Sequence, residues 1–303
     1  MAVFFIRLWR EKPLGMASGI VILIVLFVAV FAGQLAPYKF AEMNLIDRMQ
    51  GSSFRHLMGT DQMGRDVLSR VIFGARVSVL VGLAVTTLSV LISTLVGGIS
   101  GFVGGRLDII VQRFVDAWMC FPGLLLLLTL MSIVGKGVPQ IILVLGIAGG
   151  IGGSRVIRGA VMGIKENVYF QTAEAIGSRK WRSLVRHVLP NIMPAVIISF
   201  STSIGGVIIS LAALGFLGYG LPPTLPDWGG LLSREGRVYM EQAPWLALWP
   251  GLCLTVTVYS MNMFGDAARD LLDPRLKGGA GQSGAYGTNS VKKARKDAGV
   301  TPR

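Results

Sequence analysis

Long stretches without a charged side chain alternate with short clusters of charge along this chain. The uncharged stretches are bounded by Lys12 and Lys39, Arg76 and Arg106, Asp116 and Lys136, Lys136 and Arg155, Arg186 and Asp227, and Glu241 and Asp266. Each is close to the length of about 20 residues that a helix needs to cross a lipid bilayer. The pattern predicts six transmembrane helices, near residues 14–35, 77–104, 114–134, 138–157, 191–217 and 245–267.

The composition places the chain in the membrane as a whole. Hydrophobic residues make up 52% of the 303 positions and charged residues only 15%, and the mean hydropathy is +0.62. Soluble domains carry about 25% charged residues, so a cytosolic enzyme, a disordered scaffold and a disulfide-stapled secreted module are excluded. The first apolar stretch is too long for a signal-peptide core and is expected to remain as a span. The predicted fold class is an all-α integral membrane protein.

Lysine and arginine are distributed unequally between the two sides. The chain has 29 of them, and 20 fall on the side that carries both termini and the loop after the fourth span. Because positive loops stay in the cytoplasm, both termini are predicted to be cytoplasmic. The net charge of +13 is spread over many loops, whereas a nucleic-acid binder concentrates its charge on one face.

This topology divides the chain into three parts. We expect a cytoplasmic N-terminus over 1–13, a six-helix domain over 14–277 and a disordered basic tail over 278–303. Within the domain, the larger connections are an external segment over 36–76, a cytoplasmic loop over 158–190 and an external loop over 218–244. Contact of the domain with membrane lipid follows directly, and no nucleic-acid partner is expected.

The chain lacks the residues of the common catalytic and cofactor sites. His56 and His187 have no Cys or His neighbour, and Cys120 and Cys253 lie inside predicted spans, so no metal site is expected. No glycine-rich loop ending in Lys and then Ser or Thr occurs, so ATP hydrolysis must come from another chain. Glycines at 97–98, 146–153 and 205–206 are expected to let helices pack closely. We therefore predict no catalytic residue and no cofactor in this chain.

Two other functional classes are less favoured. An ion-coupled secondary transporter usually keeps ionisable residues at mid-membrane depth, and only Arg113 and Asp116 approach that position, where a local pair explains them. It remains the less favoured alternative. A membrane-embedded hydrolase would need a Ser–His or two-carboxylate set at one depth, and none can be assembled from this sequence.

The loop over 158–190 carries the most specific pattern. The apolar spacing over 166–187 predicts two short amphipathic helices broken at Gly177 and Ser178, with Ser178 capping the second. A basic surface helix could lie on lipid. The small residues Ala173, Ala175 and Gly177 favour close contact with a protein instead.

The same loop resembles the signature of permease subunits of binding-protein-dependent ABC importers. In that signature a Glu-Ala-Ala triplet is followed by Gly and then by Ile-x-Leu-Pro. Ala173, Gly177, Leu189 and Pro190 match, whereas Gln171, Thr172 and His187 depart. The resemblance implies a coupling helix that inserts into a groove on the ATPase subunit. The residues that it assigns to ATPase coupling are Gln171, Thr172, Ala173, Glu174, Ala175, Gly177, Ser178, Arg182, Leu189 and Pro190.

Two external segments extend the resemblance. Around residues 59–78, an apolar face and an Asp66–Arg70 pair at i,i+4 spacing predict an interfacial helix leading into the second span. Prolines and glycines over 218–230 exclude a helix there and favour a loop that re-enters toward the membrane. A docking surface for a substrate-binding protein is the second interpretation. Its residues would be Asp61, Arg65, Asp66, Arg70, Asp227 and Trp228.

Taken together, residues 10–277 resemble the C-type transmembrane subunit of oligopeptide and dipeptide importers. The resemblance implies a type I ABC importer permease fold in a bacterial or archaeal cytoplasmic (inner) membrane, with di- or oligopeptides as substrate. It also implies a homologous B-type permease, two cytoplasmic ATPase subunits that bind ATP and Mg, and an external or periplasmic substrate-binding protein. Close relatives handle nickel, glutathione or other small solutes, so these substrates stay open as alternatives.

Overall fold

The computed structural model describes residues 8–175 and 177–272. Within these two ranges the chain is helical and contains no strand, apart from one isolated bridge between Thr60 and Asp66. The predicted basic tail over 278–303 lies outside the described residues, as does the N-terminal segment before residue 8.

The chain forms eleven regular α-helices in the described part. They are α1 (Pro13–Val30), α2 (Ala32–Leu35), α3 (Val67–Val103), α4 (Gly105–Met119), α5 (Gly123–Val134), α6 (Val138–Lys165), α7 (Val168–Ala175), α8 (Lys180–Ser183), α9 (Leu189–Phe216), α10 (Trp228–Leu231) and α11 (Trp245–Leu272). A 3₁₀ turn covers Leu45–Asp47, and widened π-type turns cover Leu184–Val188 and Leu232–Gly236.

Five helical segments of the described chain are long and apolar enough to cross a membrane. They are α1, α3, α6, α11 and the continuous run from α8 to the end of α9. The pair α4 and α5 supplies a sixth span when the two helices, bent by 92°, are counted together. The predicted all-helical membrane fold is therefore confirmed.

The boundaries of two predicted spans are wrong. Helix α3 begins at Val67, so the interfacial helix predicted ahead of the second span and the span itself form one continuous helix rather than a span that begins near residue 77. Helix α6 continues to Lys165 rather than ending near 157, and this extension carries Arg158, which the sequence pattern placed in the cytoplasmic loop. Arg70 and Arg158 each pair with carboxylates inside the protein, so the helix does not have to end where charge begins.

The predicted third span over 114–134 is wrong as a single helix. Helix α4 ends at Met119 and α5 begins at Gly123, with a 92° bend between them. Pro122 stands at the bend, where it has no N–H to continue the helical hydrogen bonds. Helix α4 is held to α6 at two points, by Arg158 on both oxygens of Asp108 (2.6 and 2.5 Å) and by Arg155 on Asp116.

Small residues bring the long helices close together. A Cβ at Gly97 of α3 would lie 2.1 Å from the Ser154 carbonyl of α6, and one at Gly150 would lie 2.6 Å from Ile92. The predicted packing role is therefore correct for these positions. Gly98, Gly152 and Gly206 have no such packing role within this chain, because an added Cβ at each of them meets nothing within 4 Å.

The external loop after α9 folds back into the helical body. Its backbone is irregular as far as Asp227, but the short helix α10 then begins at Trp228, which corrects the prediction that 218–230 holds no helix. Trp228 is 2% exposed and belongs to the same apolar cluster as Val71, Val79 and Leu246. The loop is thus packed against α3 and α11.

Candidate functional site

The predicted coupling segment folds as two short helices joined by a glycine turn. Helix α7 ends in a Schellman-type cap, in which Gly177 takes φ of +82° and the Ser178 N–H donates to the Ala173 carbonyl at 3.1 Å. Only glycine adopts this backbone angle at little cost. The glycine in the sequence therefore determines where α7 stops and how sharply the chain turns toward α8.

The inner face of α7 is anchored on two long helices. Phe170 is 1% exposed and belongs to an apolar cluster with Ile157 and Val161 of α6 and with Val188 and Ile192 at the start of α9. The ring of Phe170 also meets Phe102 edge-on at 6.4 Å. A force applied to α7 is therefore transmitted to α6 and α9.

The outer face of the segment is open to contact. The predicted coupling residues that are exposed are Gln171, Thr172, Ala175, Gly177, Arg182 and Pro190, whereas Ala173 is buried and Ser178 and Leu189 are half-buried. Glu174 belongs to α7 as predicted. Trp181, which is 74% exposed beside exposed basic residues, was not among the predicted set. The segment thus presents a mixed basic and apolar surface.

One local prediction about this segment is wrong. Ser178 does not cap α8, because the N-cap position is Arg179 and no side chain bonds to the helix start. Ser178 instead accepts a hydrogen bond from the Ser183 hydroxyl at 3.0 Å. Helix α8 then runs through the widened turn Leu184–Val188 into α9, so it is stabilised by continuity with a long helix rather than by a cap.

The predicted docking residues on the external side form an internal ion-pair cluster instead. Arg65 lies 2.6 Å from Asp61 and 2.9 Å from Glu235, and Arg70 lies 2.7 Å from Glu235 and also contacts Asp61. Two cations thus balance two carboxylates. Glu235 was not singled out from the sequence, since it lies 165 positions from Arg70 along the chain.

Asp66 caps a helix rather than pairing with Arg70. It accepts hydrogen bonds from the Ser69 N–H at 2.8 Å and the Ser69 hydroxyl at 2.7 Å, which closes the start of α3. Its other oxygen lies 2.9 Å from Nδ1 of His56, whose second ring nitrogen lies 3.7 Å from Asp47. The predicted i,i+4 ion pair is therefore wrong, and both faces at the start of α3 are buried.

Asp227 and Trp228 hold the external loop in place. The Trp228 indole donates to the Val71 carbonyl at 3.1 Å, and the Trp228 N–H donates to the Ser78 hydroxyl at 3.2 Å. Asp227 caps α10 by accepting from the Gly230 N–H at 2.8 Å, and its other oxygen lies 3.6 Å from Arg234. Trp228 thus ties α10 to α3, and Asp227 fixes the start of α10.

Two carboxyls in this external layer have raised pKa values. Burial raises the pKa of Asp227, because the hydrogen bond from Gly230 and the charge of Arg234 only partly compensate for lost hydration. Burial also raises the pKa of Glu235; Arg70 acts in the opposite direction, and the negative charge of Asp61 adds to the rise. Both groups are buried beside arginine side chains.

This geometry does not support direct docking through the predicted residues. Asp61, Asp66, Arg70, Asp227 and Trp228 are each at most 3% exposed, and only Arg65 keeps some surface. Buried side chains cannot contact an external protein in this conformation. They instead fix the shape of the external layer.

A groove on the membrane-spanning part escaped the sequence analysis. Two open clefts of about 730 and 540 Å³ lie along α3, α6 and α9 and share Ser89, Gly149 and Ser203. The apolar and glycine-rich pattern of these helices marks them as packed spans and gives no sign of which side stays open. The serines at helical spacing on these helices are the sequence feature that could have indicated the groove.

Comparison with known proteins decides the family. Residues 93–278 match the sequence profile described as the binding-protein-dependent transport system inner membrane component, and residues 4–51 match the N-terminal TM domain of oligopeptide transport permease C. The chain belongs to the family of binding-protein-dependent transport system inner membrane components. As a member, this permease component is a translocation subunit of the inner membrane and not an enzyme with its own ATPase site.

Relatives cover nearly the whole permease component. The chain is 34% identical to a glutathione transport system permease protein of Pectobacterium atrosepticum, with 90% of this chain and 91% of the relative covered. It is also 34% identical to a dipeptide permease protein of Alkalihalophilus pseudofirmus (89% and 90% covered) and to an oligopeptide permease protein of Bacillus subtilis (89% and 88%). The predicted family is confirmed.

A solved structure shares the fold. A chain from inward-facing conformations of the MetNI methionine ABC transporter aligns with a TM-score of 0.52 at 16% identity, covering 64% of this chain and 94% of its own. At this identity the likeness concerns the fold alone. It confirms the predicted importer-permease architecture.

Proposed function

We propose that this permease component is one of two non-identical membrane subunits of an ATP-driven importer for di- and oligopeptides. The observation that carries the proposal is the exposed glycine turn at Gly177, seated on α6 and α9 through Phe170. Since α6 and α9 also line the open groove, a movement of the Gly177 turn would move the two helices that line the groove. Relatives named as dipeptide and oligopeptide permeases support the substrate.

The proposal assigns partners to the two sides of the molecule. Two cytoplasmic ATPase subunits would bind ATP and Mg²⁺, and one of them would receive the turn between α7 and α8. A homologous permease would cover the open groove. An external binding protein would deliver peptide to the layer that the ion-pair cluster shapes. We place the complex in the inner membrane of a bacterium, since the family is described as an inner membrane component and the relatives named above come from bacteria.

Glutathione is the second candidate substrate. Relatives named as glutathione transport permeases are as similar to this chain as the peptide permeases, at 34% identity. Glutathione is itself a short peptide, so the same groove chemistry would serve. Competition between labelled dipeptide and unlabelled glutathione during uptake by the assembled transporter distinguishes the two.

The coupling role is tested at Gly177. An added Cβ at this position meets nothing within 4 Å among the described residues, so an added side chain has room to extend outward toward a partner, although its backbone is strained at φ of +82°. We expect Gly177→Arg to reach the membrane in normal amount and to lose most peptide uptake, through weaker ATPase association or through loss of binding-protein-stimulated ATP turnover. Uptake and ATP turnover are measured with the assembled complex in vesicles.

Two control variants distinguish the effect of side-chain bulk at position 177 from the effects of backbone strain and of charge. Gly177→Ala carries the same penalty of about 1–2 kcal/mol for a positive φ but adds only one methyl group, so it should transport far better than Gly177→Arg. Lys180→Gln removes an exposed charge, which is worth at most about 1 kcal/mol, and should transport normally. Near-normal uptake by Gly177→Arg would remove the coupling assignment, since a loop lying on lipid tolerates another cation.

A further inference from the structure

The two clefts join into one groove that runs along the spans. The 730 Å³ cleft reaches Asn167, Asn191 and Arg269 near the cytoplasmic ends of α6, α9 and α11, and the 540 Å³ cleft lies beside the bend between α4 and α5. They meet at Ser89, Gly149 and Ser203. An open polar groove at membrane depth is tolerated only against protein or water.

The lining of the groove accepts hydrogen bonds and carries no charge along most of its length. Thr202 and Ser210 donate their hydroxyl hydrogens to carbonyls of their own helix, at 2.9 Å in both cases, and Ser93 does the same at 3.0 Å. The hydroxyl oxygens keep free lone pairs. Such a wall suits a solute rich in N–H donors, as a peptide backbone is, and recognises no particular side chain.

Glycines on the groove helices fall into two kinds. At Gly149 and Gly150 of α6, and at Gly205 of α9, an added Cβ would lie 2.2 to 2.7 Å from a neighbouring helix, so packing requires glycine there. At Gly152 and Gly206, which both line the 540 Å³ cleft, an added Cβ meets nothing within 4 Å. Glycine weakens a helix interior relative to alanine, and helix packing within this chain gives no reason for it at these two positions.

Larger side chains also line the same cleft. Trp118, Met119 and Phe121, at the bend between α4 and α5, line it together with Gly152 and Gly206. A side chain added at either glycine would therefore take up space in the cleft, since no atom lies within 4 Å of the added Cβ.

We infer that Gly152 and Gly206 set the width of this subunit's half of the peptide path and thereby the size of peptide that passes. The inference rests on the proposed function, because it assumes that the groove is the path. It places the size limit inside the membrane, in two positions that bind no substrate group themselves.

The test compares peptides of increasing length in the assembled transporter. We expect Gly152→Leu and Gly206→Leu to insert and to keep binding-protein-stimulated ATP turnover. Uptake of the longest peptides should fall about tenfold or more, the effect of a modest steric clash in a filled space, while dipeptide uptake falls least. Gly33→Leu is the matched control, since Gly33 is exposed, helical and also free of neighbours within 4 Å, and should transport peptides of every length normally.

A second measurement does not depend on the substrate. The background has Cys120 replaced by serine and Cys253 replaced by alanine. In the assembled complex, Gly206→Cys should then react with a membrane-impermeant, water-soluble thiol reagent. The control Leu95→Cys should not react, because Leu95 lies on an exposed apolar face of α3. No reaction at position 206 would overturn the inference. Unchanged uptake of long peptides by both leucine variants would also overturn the inference. If the parental complex imports no peptide while position 206 still reacts, only the proposed substrate is rejected.

Discussion

Arg70 is the cation on which the external ion-pair cluster depends most. Its guanidinium lies 2.7 Å from both oxygens of Glu235 and also contacts Asp61, and the residue is 3% exposed. Replacing it with methionine, Arg70→Met, keeps an unbranched side chain about as long as the aliphatic part of arginine and removes the charged guanidinium. Asp61 and Glu235 would then share a single cation, Arg65, in a buried layer.

The expected cost follows from the charge balance. Removing one partner of a buried ion pair costs about 3–5 kcal/mol. Because Arg65 remains within 2.9 Å of both carboxylates, we expect the lower end, about 3 kcal/mol. Local opening of the external layer should become about a hundredfold more frequent, since each 1.4 kcal/mol is a factor of ten.

Hydrogen exchange of backbone amides in 56–70 and 227–236 measures this opening directly. The double variant Arg70→Met with Glu235→Gln should recover part of the loss, because it removes the carboxylate left unpaired. Equal exchange rates in Arg70→Met and the parental protein would refute the reasoning. Absence of any recovery in the double variant would show that the cost lies in packing rather than in charge.

The pH dependence has a defined sign. Burial raises the pKa of Glu235, so the folded state binds this proton more tightly than the unfolded state. Its contribution to stability is complete below the ordinary carboxyl pKa and is lost as the pH rises through the raised value. Removing Arg70 raises that pKa further, so the deficit of Arg70→Met should be smaller at acidic pH and larger at neutral pH.

Two further predictions concern topology and the start of α3. In a background without Cys120 and Cys253, an impermeant thiol reagent should label the exposed Ser53→Cys from outside intact cells. The same reagent should label Lys180→Cys only after permeabilisation. External labelling at position 180 would overturn the orientation derived from the Lys and Arg distribution. Asp66→Ala removes the cap of α3 and the partner of His56, and should lower stability by about 1–2 kcal/mol, read as a lower thermal midpoint in detergent; an unchanged midpoint would contradict the capping role.

The membrane class, the family and the position of the glycine turn follow from the sequence alone. Each depends on a local property that tertiary structure does not alter. Apolar stretches of bilayer length must be helical because their backbone groups have no other partner in lipid. Gly177 ends α7 because it takes a positive φ, and that preference belongs to the residue itself.

Tertiary structure decided what the charged residues do. The sequence pattern treated Arg70, Asp66 and Arg158 as loop or surface charges, yet each is paired inside the protein. Arg70 and Arg158 find their partners Glu235 and Asp108 at 165 and 50 positions along the chain, so no local spacing connects them. The helix ends that were inferred from charge were wrong for this reason, and five of the six predicted docking residues are buried inside the protein.

Tertiary structure also decided which glycines pack and which leave space. Gly149 and Gly152 lie three residues apart in the same glycine-rich part of α6. Only at Gly149 would an added Cβ meet the neighbouring helix, at Ser89 of α3. The difference depends on the rotation of α6 about its axis, which the contacts with α3 and α9 fix together. Sequence periodicity places a residue on a helix face, and only the packed bundle shows whether that face meets another helix or an open groove.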